Sequence, residues 1–219
     1  MIVAIDGPAG SGKSSTAKLI SQILNWKYLD TGAMYRAVTH YFLTHQISTD
    51  SINEIQNALK MINIVFRSNG KQQVWMNGEN VTSCIRESNV TKNVSFISSL
   101  PIVRKFLIKT QRQFAELGNV VMEGRDIGTE VFPNADIKIF LTASIESRAT
   151  RRLNELKDSG KEILLDELIK DIKLRDKKDR ERKASPLRIA KDAVLIDTTG
   201  MSLEEQTTKI IKLIEQKSQ

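Results

Sequence analysis

Residues 7–14 read Gly-Pro-Ala-Gly-Ser-Gly-Lys-Ser and directly follow an apolar run at residues 2–6. This spacing, between a strand and a helix, is typical of a loop that turns backbone N–H groups around a phosphate chain. Lys13 would reach the β- and γ-phosphates, and the Ser14 hydroxyl would bind Mg²⁺. The loop predicts binding of a nucleoside triphosphate, but it does not say how the triphosphate is used.

A second polar turn lies at residues 30–36, Asp-Thr-Gly-Ala-Met-Tyr-Arg, where a predicted strand ends and a helix begins. Asp30 and Thr31 are residue types that cap helices, which is the ordinary structural explanation of such a turn. Capping leaves Tyr35 and Arg36, one turn into the helix, without a role. Ligands of open α/β sheets lie beyond the carboxyl ends of the strands, so Arg36 can clamp an anion beside the phosphate loop.

A third turn follows another predicted strand, at residues 123–129, and reads Glu-Gly-Arg-Asp-Ile-Gly-Thr. Arg125 and Asp126 can form an exposed ion pair that merely closes the loop, a contact of little energetic value. At the same sheet edge as the phosphate loop, Arg125 is better interpreted as a bidentate phosphate ligand. Asp126 would then orient that arginine or accept a hydrogen bond from a base amino group.

One helical face in the region 161–183 changes from apolar to charged along its length. Its members are Leu165, Leu168, Ile172, Arg175, Asp179 and Arg182. In the structural interpretation, this face packs at its apolar end and forms solvent-exposed ion pairs at its charged end. In the functional interpretation, the charged end is the polar wall of a cleft that closes on substrate. Arg151 and Arg152, earlier in the same charged region, can stabilise charge on a transferring phosphoryl group.

The elements that must position these residues form an α/β pattern. Five apolar segments alternate with helical ones, which predicts a parallel sheet with helices on both faces. The predicted strands are 2–6, 27–30, 119–123, 137–142 and 194–197, and the clearest helices are 14–24, 33–44, 101–116 and 203–216. The pairs Asn69-Gly70 and Asn77-Gly78 separate three short runs within 61–82, which predicts a small antiparallel three-stranded insert. We expect one domain, 1–219, with an insert at about 61–99 and a helical lid at about 150–188 that breaks at Ser159-Gly160.

Composition limits the classes of partner. The 33 basic residues exceed the 26 acidic residues and give a formal charge of +7, which suits either a nucleic-acid surface or a cleft for small phosphorylated substrates. Basic and acidic residues are interleaved and only 5% of residues are aromatic, so stacking platforms for nucleic acid are not expected. No apolar run approaches the length of a membrane span. The one cysteine, Cys84, excludes an internal disulfide, and we expect a cytoplasmic protein.

These segments, in this order, resemble bacterial cytidylate kinases over nearly the whole chain. The phosphate loop is common to many nucleotide-binding proteins, whereas the two arginine-bearing turns and the insert together are specific to that family. The matching segments are IDGPAGSGKSS, LDTGAMYRA, NGENVTSCIR, VVMEGRDIGTEVFPNADIKIFLTAS, RDKKDRER, SPL and LIDTTG. The sequence departs mildly from the family pattern, with Thr31 where some members have serine, Glu123 where aspartate is frequent, and Lys178 where arginine is frequent.

The resemblance implies a monomeric enzyme that transfers the γ-phosphoryl group of ATP to CMP or dCMP, with Mg²⁺. It implies that the donor is held by Gly7, Pro8, Ala9, Gly10, Ser11, Gly12, Lys13, Ser14 and Ser15. The group that would recognise cytosine and its neighbouring phosphate is Thr31, Arg104, Asp126 and Arg182. Arg36 and Arg125 would hold the acceptor phosphate, and Tyr35 is a further expected CMP-binding residue. The pentose contacts are Ser95, Arg175 and Asp179, and the lid arginines are Arg151 and Arg152. Lys13, Arg125, Arg151, Arg152 and Arg175 are the expected catalytic residues, and Ser14 is the expected metal ligand.

Overall fold

Five short strands in one sheet form the centre of the fold. The computed structural model describes residues 1–69, 71–116, 118–157 and 163–218. In chain order its elements are β1 (Ile2–Asp6), α1 (Lys13–Ile23), β2 (Lys27–Asp30), α2 (Thr31–Thr44), α3 (Ile52–Lys60), β3 (Ile64–Asn69), β4 (Lys71–Met76), β5 (Glu79–Asn80), α4 (Ser88–Ile97), α5 (Pro101–Ala115), β6 (Val120–Gly124), β7 (Ile137–Thr142), α6 (Ile145–Lys157), α7 (Leu165–Glu181), β8 (Val194–Asp197) and α8 (Leu203–Ser218).

The chain divides into two compact units. We call Met1–Leu29 with Ala115–Gln219 the sheet unit, and Asp30–Phe114 the insert unit. The five-stranded sheet has the strand order β2-β6-β1-β7-β8, and β1 is paired in parallel with both β6 and β7. This confirms the parallel sheet that the sequence predicts.

The core of the sheet unit explains why its strands lack polar alternation. Helices α1 and α8 cover the strands, so side chains on the sheet are removed from water. The buried cluster comprises Val3, Ile5, Ala17, Ile20, Val121, Ile137, Ile139, Leu141, Ile196, Ile210 and Ile214. A second, smaller cluster of Ala149, Leu168 and Ile172 joins α6 to α7.

Strand register determines what meets at the carboxyl edge of this sheet. Asp6, the last residue of β1, lies beside Gly124 of β6 and Phe140 of β7. The loop after β1 and the turn after β6 therefore leave the sheet side by side, as expected for parallel strands. A single π-helical turn, Ile127–Val131, follows the latter.

The insert unit contains the predicted antiparallel sheet. Its strand order is β3-β4-β5, with Ile64 paired to Met76 and Trp75 paired to Asn80. Asn77 and Gly78 both have positive φ, 52° and 88°, as the predicted Asn-Gly turn requires. The other predicted turn involves Gly70, which lies outside the described residues, as does the helix break predicted at residues 159–160.

Five predicted elements have ends that differ by one or two residues in the structure, namely α1, α2, α5, α8 and β6. Helix α2 begins at Thr31 instead of residue 33, because the Asp30 carboxylate caps it by accepting the Ala33 N–H at 2.9 Å. Helix α1 begins at Lys13, after Gly12 in a left-handed conformation. Strand β6 begins and ends one residue later than predicted, at Val120 and Gly124. Asn119, the residue before it, accepts the Lys27 N–H through its backbone carbonyl at 3.0 Å.

Candidate active site

The phosphate loop, residues 7–14, requires glycine because its backbone passes close to two other elements. At Gly7, with φ 150°, a Cβ atom would overlap the carbonyl oxygen of Leu141 in β7. At Gly10, with φ 76°, a Cβ atom would lie 3.1 Å from the Arg148 Cβ atom of α6. Both positions combine a backbone conformation that side chains disfavour with a lack of space, so larger residues would open the loop.

Lys13 is buried at the base of this loop, with 5% of its surface exposed. Its ammonium group donates to the carbonyl oxygen of Pro8 at 2.7 Å. Burial lowers the pKa of Lys13 to about 7, and repulsion by Arg125 and Arg175 acts in the same direction while Glu123 opposes it. An anionic group placed beside Lys13 would relieve this repulsion, so the electrostatics favour a phosphate there.

The turn after β6 is joined to the end of α7 by two ion pairs. Arg125 Nε donates to Asp179 Oδ2 at 2.9 Å, and Arg182 Nη2 lies 3.6 Å from Asp126 Oδ1. Burial acts to lower the pKa of Arg125, but the Asp179 carboxylate outweighs it and leaves that pKa raised. The predicted Arg125, Asp126, Asp179 and Arg182 therefore lie together in the sheet unit, as one network of paired charges.

Arg175 adds a further cation to this network. Burial lowers the pKa of Arg175, and the nearby Arg125 lowers it further, while Asp179 raises it. Asp179 neutralises one of the two arginines, so the group keeps positive charge in a largely desolvated place. Such a group is suited to holding the oxygens of a phosphate.

Helix α6 contacts the phosphate loop through an arginine that the sequence interpretation missed. Arg148 Nη1 donates to the Ala9 carbonyl oxygen at 3.0 Å and lies 2.7 Å from Asp176 Oδ2 of α7. Arg148 and Asp176 are 6% and 7% exposed. One buried ion pair thus links the loop, α6 and α7. In the sequence, this pair is indicated only by the high density of charged residues in the region.

The two predicted lid arginines of α6 have different surroundings. Arg151 donates from Nη1 to the Thr198 hydroxyl at 3.0 Å, and its Nη1 lies 3.5 Å from the Gly10 carbonyl oxygen. Arg152 instead pairs with Glu155 at 2.7 Å, with 43% of its side chain exposed. The structure brings Arg151 to the phosphate loop, whereas Arg152 pairs with Glu155 of the same helix and is close enough to Arg175 to help lower its pKa.

We expect Arg148→Met to raise the KM for ATP by about tenfold, since it removes a hydrogen bond to the loop and leaves Asp176 buried without its cation. Arg180→Met, an exposed arginine on α7, is the matched control and should behave as wild type. Steady-state kinetics with ATP as the varied substrate measure both variants. Adding Asp176→Leu to Arg148→Met should restore part of the lost stability in a thermal melt, and a further loss would contradict the pairing.

The remaining predicted site residues belong to the insert unit. Thr31 is buried at the first position of α2, and Ser95 is half-buried on α4. Arg104 of α5 is 2% exposed, and its guanidinium carbon lies 5.2 Å from the centre of the Tyr35 ring. Arg36 Nη1 donates to the Thr91 hydroxyl of α4 at 2.9 Å. The structure thus joins Tyr35 to Arg104 and anchors Arg36 on α4.

Within the described residues, no group of three or more His, Cys, Asp or Glu side chains is arranged to hold a metal ion. Ser14 is exposed in the first turn of α1, directly after Lys13. None of the described helices has the length and apolar character needed to cross a bilayer.

Comparisons with known proteins agree over the full length of the chain. The family model for cytidylate kinases matches residues 3–216. A cytidylate kinase from Fusobacterium nucleatum is 47% identical over 215 residues, 98% of this chain and 97% of the relative. One from Carboxydothermus hydrogenoformans is 46% identical over 219 residues, 100% and 99% of the two chains.

Two further matches differ from these relatives, one in the share of the relative that is covered and the other in sequence identity. A bifunctional pantoate ligase/cytidylate kinase from Trichodesmium erythraeum is 49% identical over 213 residues, which are 97% of this chain but 40% of that relative. Among solved structures, an uncharacterized protein from Eubacterium ventriosum superimposes with a TM-score of 0.56 at 14% identity, covering 99% of this chain and 98% of that one. The last likeness shows a shared fold.

Proposed function

The chain belongs to the cytidylate kinase family, and we propose that it transfers the γ-phosphoryl group of ATP to CMP or dCMP. Nucleoside monophosphate kinase activity on CMP follows from the family membership. The observation that carries the proposal is the arrangement at one sheet edge. There the phosphate loop with Lys13 adjoins the turn with Arg125, and Asp179 and Arg175 of α7 complete the charge network.

We assign the donor to the phosphate loop and the start of α1. Backbone N–H groups of the loop and the Lys13 ammonium hold the ATP phosphates. The donor-side residues are Gly7, Pro8, Ala9, Gly10, Ser11, Gly12, Lys13, Ser14 and Ser15. The Ser14 hydroxyl is exposed and is a hard oxygen ligand, the type that Mg²⁺ prefers. When bound, Mg²⁺ neutralises charge on the β- and γ-phosphates.

We assign the acceptor nucleotide to residues of each unit. In the sheet unit, Arg125 holds the CMP phosphate, Asp126 and Arg182 recognise cytosine, and Arg175 and Asp179 contact the pentose. In the insert unit, Arg36 holds the phosphate, Ser95 contacts the pentose, and Thr31, Tyr35 and Arg104 belong to base recognition. The burial of Thr31, Arg104 and Asp126 supports base recognition, because buried polar groups discriminate ligands by the hydrogen bonds left unmade when the ligand is wrong.

The chemistry that this assignment requires is positioning and charge stabilisation. The attacking atom is a phosphate oxygen that is already largely ionised at pH 7, because the second pKa of a phosphate monoester is about 6. No strong general base is needed. Lys13, Arg125, Arg175 and the α6 arginines Arg151 and Arg152 stabilise the charge on the transferring group. Closure of the α6–α7 pair over the donor would exclude water as a competing acceptor.

The deciding experiment is a coupled assay with MgATP against CMP, dCMP, UMP, AMP and GMP. We expect kcat/KM to be highest for CMP and dCMP and lower for UMP, which differs from CMP at the base edge. Turnover of AMP or GMP well above CMP would mean a phosphate-loop kinase with another acceptor. We further propose that the enzyme works as a monomer in the cytoplasm on these small nucleotides, without a nucleic-acid partner.

A further inference from the structure

Asp6 is a buried carboxylate to which the proposed function gives no role. It is the last residue of β1, directly before the phosphate loop, and it is 4% exposed. Its Oδ1 atom accepts the Ile127 N–H at 2.8 Å, and its Oδ2 atom accepts the Gly128 N–H at 2.7 Å. Both oxygens therefore bind the backbone of one short segment, more than a hundred residues away in sequence.

That segment is the start of the π-helical turn Ile127–Val131. The first N–H groups of any helical turn have no partner within the turn, and a side chain at the preceding N-cap position usually accepts one of them. Asp126 occupies the N-cap position, but its side chain makes no capping hydrogen bond. Its carboxylate is instead directed to Arg182, at 3.6 Å. Asp6 thus performs the capping that Asp126 does not.

The arrangement is electrostatically costly, which argues against an incidental contact. Burial raises the pKa of Asp6 to about 6, and repulsion by Asp126 adds to this increase. The two N–H groups and Lys13 oppose it. A buried charge is expensive to keep, yet at neutral pH a carboxylate holds two N–H groups more firmly than a neutral side chain would.

We propose that Asp6 is a positioning residue for the acceptor nucleotide: by capping the turn at Ile127 and Gly128, it fixes Arg125 and frees Asp126 to face Arg182. This inference rests on the proposed function, in which Arg125 and Asp126 contact CMP. It places one carboxylate between the start of the donor loop and the residues that hold the acceptor. The donor loop keeps its own supports when Asp6 is changed, among them the Arg148 bond to Ala9.

The test compares Asp6→Asn with Asp136→Asn. Asp136 is an exposed carboxylate that accepts the Ile2 N–H at 2.6 Å, so the control removes the same kind of contact at the opposite end of β1. For Asp6→Asn we expect the KM for CMP to rise by about tenfold or more, the effect of losing a charge-assisted hydrogen bond, with the KM for ATP within about twofold of wild type. Asp136→Asn should leave both values unchanged.

A purely structural role for Asp6 would reduce the amount of active enzyme and leave both KM values as they are, and that result would overturn the inference. An equal increase in both KM values would overturn it as well. Asp6→Ala is the second variant, because it has no amide donor to oppose the two N–H groups. If neither variant folds, as judged by circular dichroism, Asp6 serves folding and the inference is wrong. Failure of the wild-type enzyme to phosphorylate CMP would instead contradict the proposed function.

Discussion

Replacing Lys13 by alanine is expected to lower kcat by a factor on the order of 10²–10³, as the loss of one preorganised charge at a reacting group does. The Lys13 ammonium lies at the base of the phosphate loop, in a region where Arg125 and Arg175 already repel it. A bound phosphate would therefore stabilise the charged form of Lys13. The coupled assay at saturating ATP and CMP measures the effect.

The fold should survive this substitution, since the pKa of Lys13 is lowered from its ordinary value of 10.5 to about 7. A lysine with a lowered pKa disfavours the native state once the pH falls below 10, and fully below 7, so at pH 7.5 its removal takes away a penalty. We expect the Tm to stay within about 5 °C of wild type. Lys18→Ala, a half-buried lysine on the same helix, is the control and should keep normal activity. Near-normal turnover of Lys13→Ala would refute the phosphate role.

Replacing Asp179 by alanine is expected to raise the KM for CMP and for dCMP by about ten- to a hundredfold, because it breaks a largely buried ion pair of the acceptor site. Asp179 Oδ2 accepts the Arg125 Nε–H at 2.9 Å, so the variant removes a proposed pentose contact and also loosens Arg125. Asp171→Ala, an exposed carboxylate on the same helix, should leave both KM values unchanged. If the Asp179 variant has unchanged KM values, the proposed pentose role is wrong.

The Asp179 variant should also lose stability, roughly 3 kcal/mol near neutral pH, since it leaves Arg125 without its carboxylate. Burial acts to raise the pKa of Asp179, but Arg125 and Arg175 outweigh it and hold that pKa below the ordinary 3.8. A lowered carboxyl pKa gives stability that is present above about pH 4 and is lost as the pH falls through the folded-state pKa. The difference in Tm between wild type and Asp179→Ala should therefore shrink as the pH is lowered toward 3.

The sequence predicted the sheet well because its central strands, β1, β6 and β7, are buried and are near-continuous apolar runs. The predicted bounds of β1, β2, β7 and β8 match the structure, and the Asn77-Gly78 pair correctly indicated a hairpin. Errors within the sheet were limited to the ends of β6, whereas helices α3 and α4 were not among the predicted elements. Helix α2 starts two residues early because the preceding Asp30 side chain binds the Ala33 N–H, and capping of this kind shifts a boundary without changing the apolar pattern.

The candidate site could be predicted only where its residues follow a motif. Lys13, Arg125 and Arg175 stand in recognisable segments, and the structure places them close enough to repel one another. Asp6 and Arg148 could not be found in this way. Asp6 contacts residues 121 and 122 positions away, and Arg148 contacts a loop 139 positions away. The spacing of residues within one segment therefore cannot indicate either contact.

The charged face of α7 shows the same limit within one helix. The sequence indicated Arg175, Asp179 and Arg182 as the polar members of this face, and Asp179 is buried in the structure. Asp176, between them, is buried as well, and pairs with Arg148 of α6. Helical spacing places 176 four residues after Ile172, on the packed face, but only the neighbouring helix explains why a carboxylate is tolerated there.

Following a radioactive label shows most directly whether this chain moves a phosphoryl group from ATP to CMP. The protein is incubated with Mg²⁺, CMP and ATP labelled in its γ-phosphate, and the products are separated by chromatography. We expect the label to appear in CDP only when CMP is present, and Lys13→Ala to slow its appearance by a factor on the order of 10²–10³. Label released as inorganic phosphate whether or not CMP is present, with none in CDP, would contradict the account.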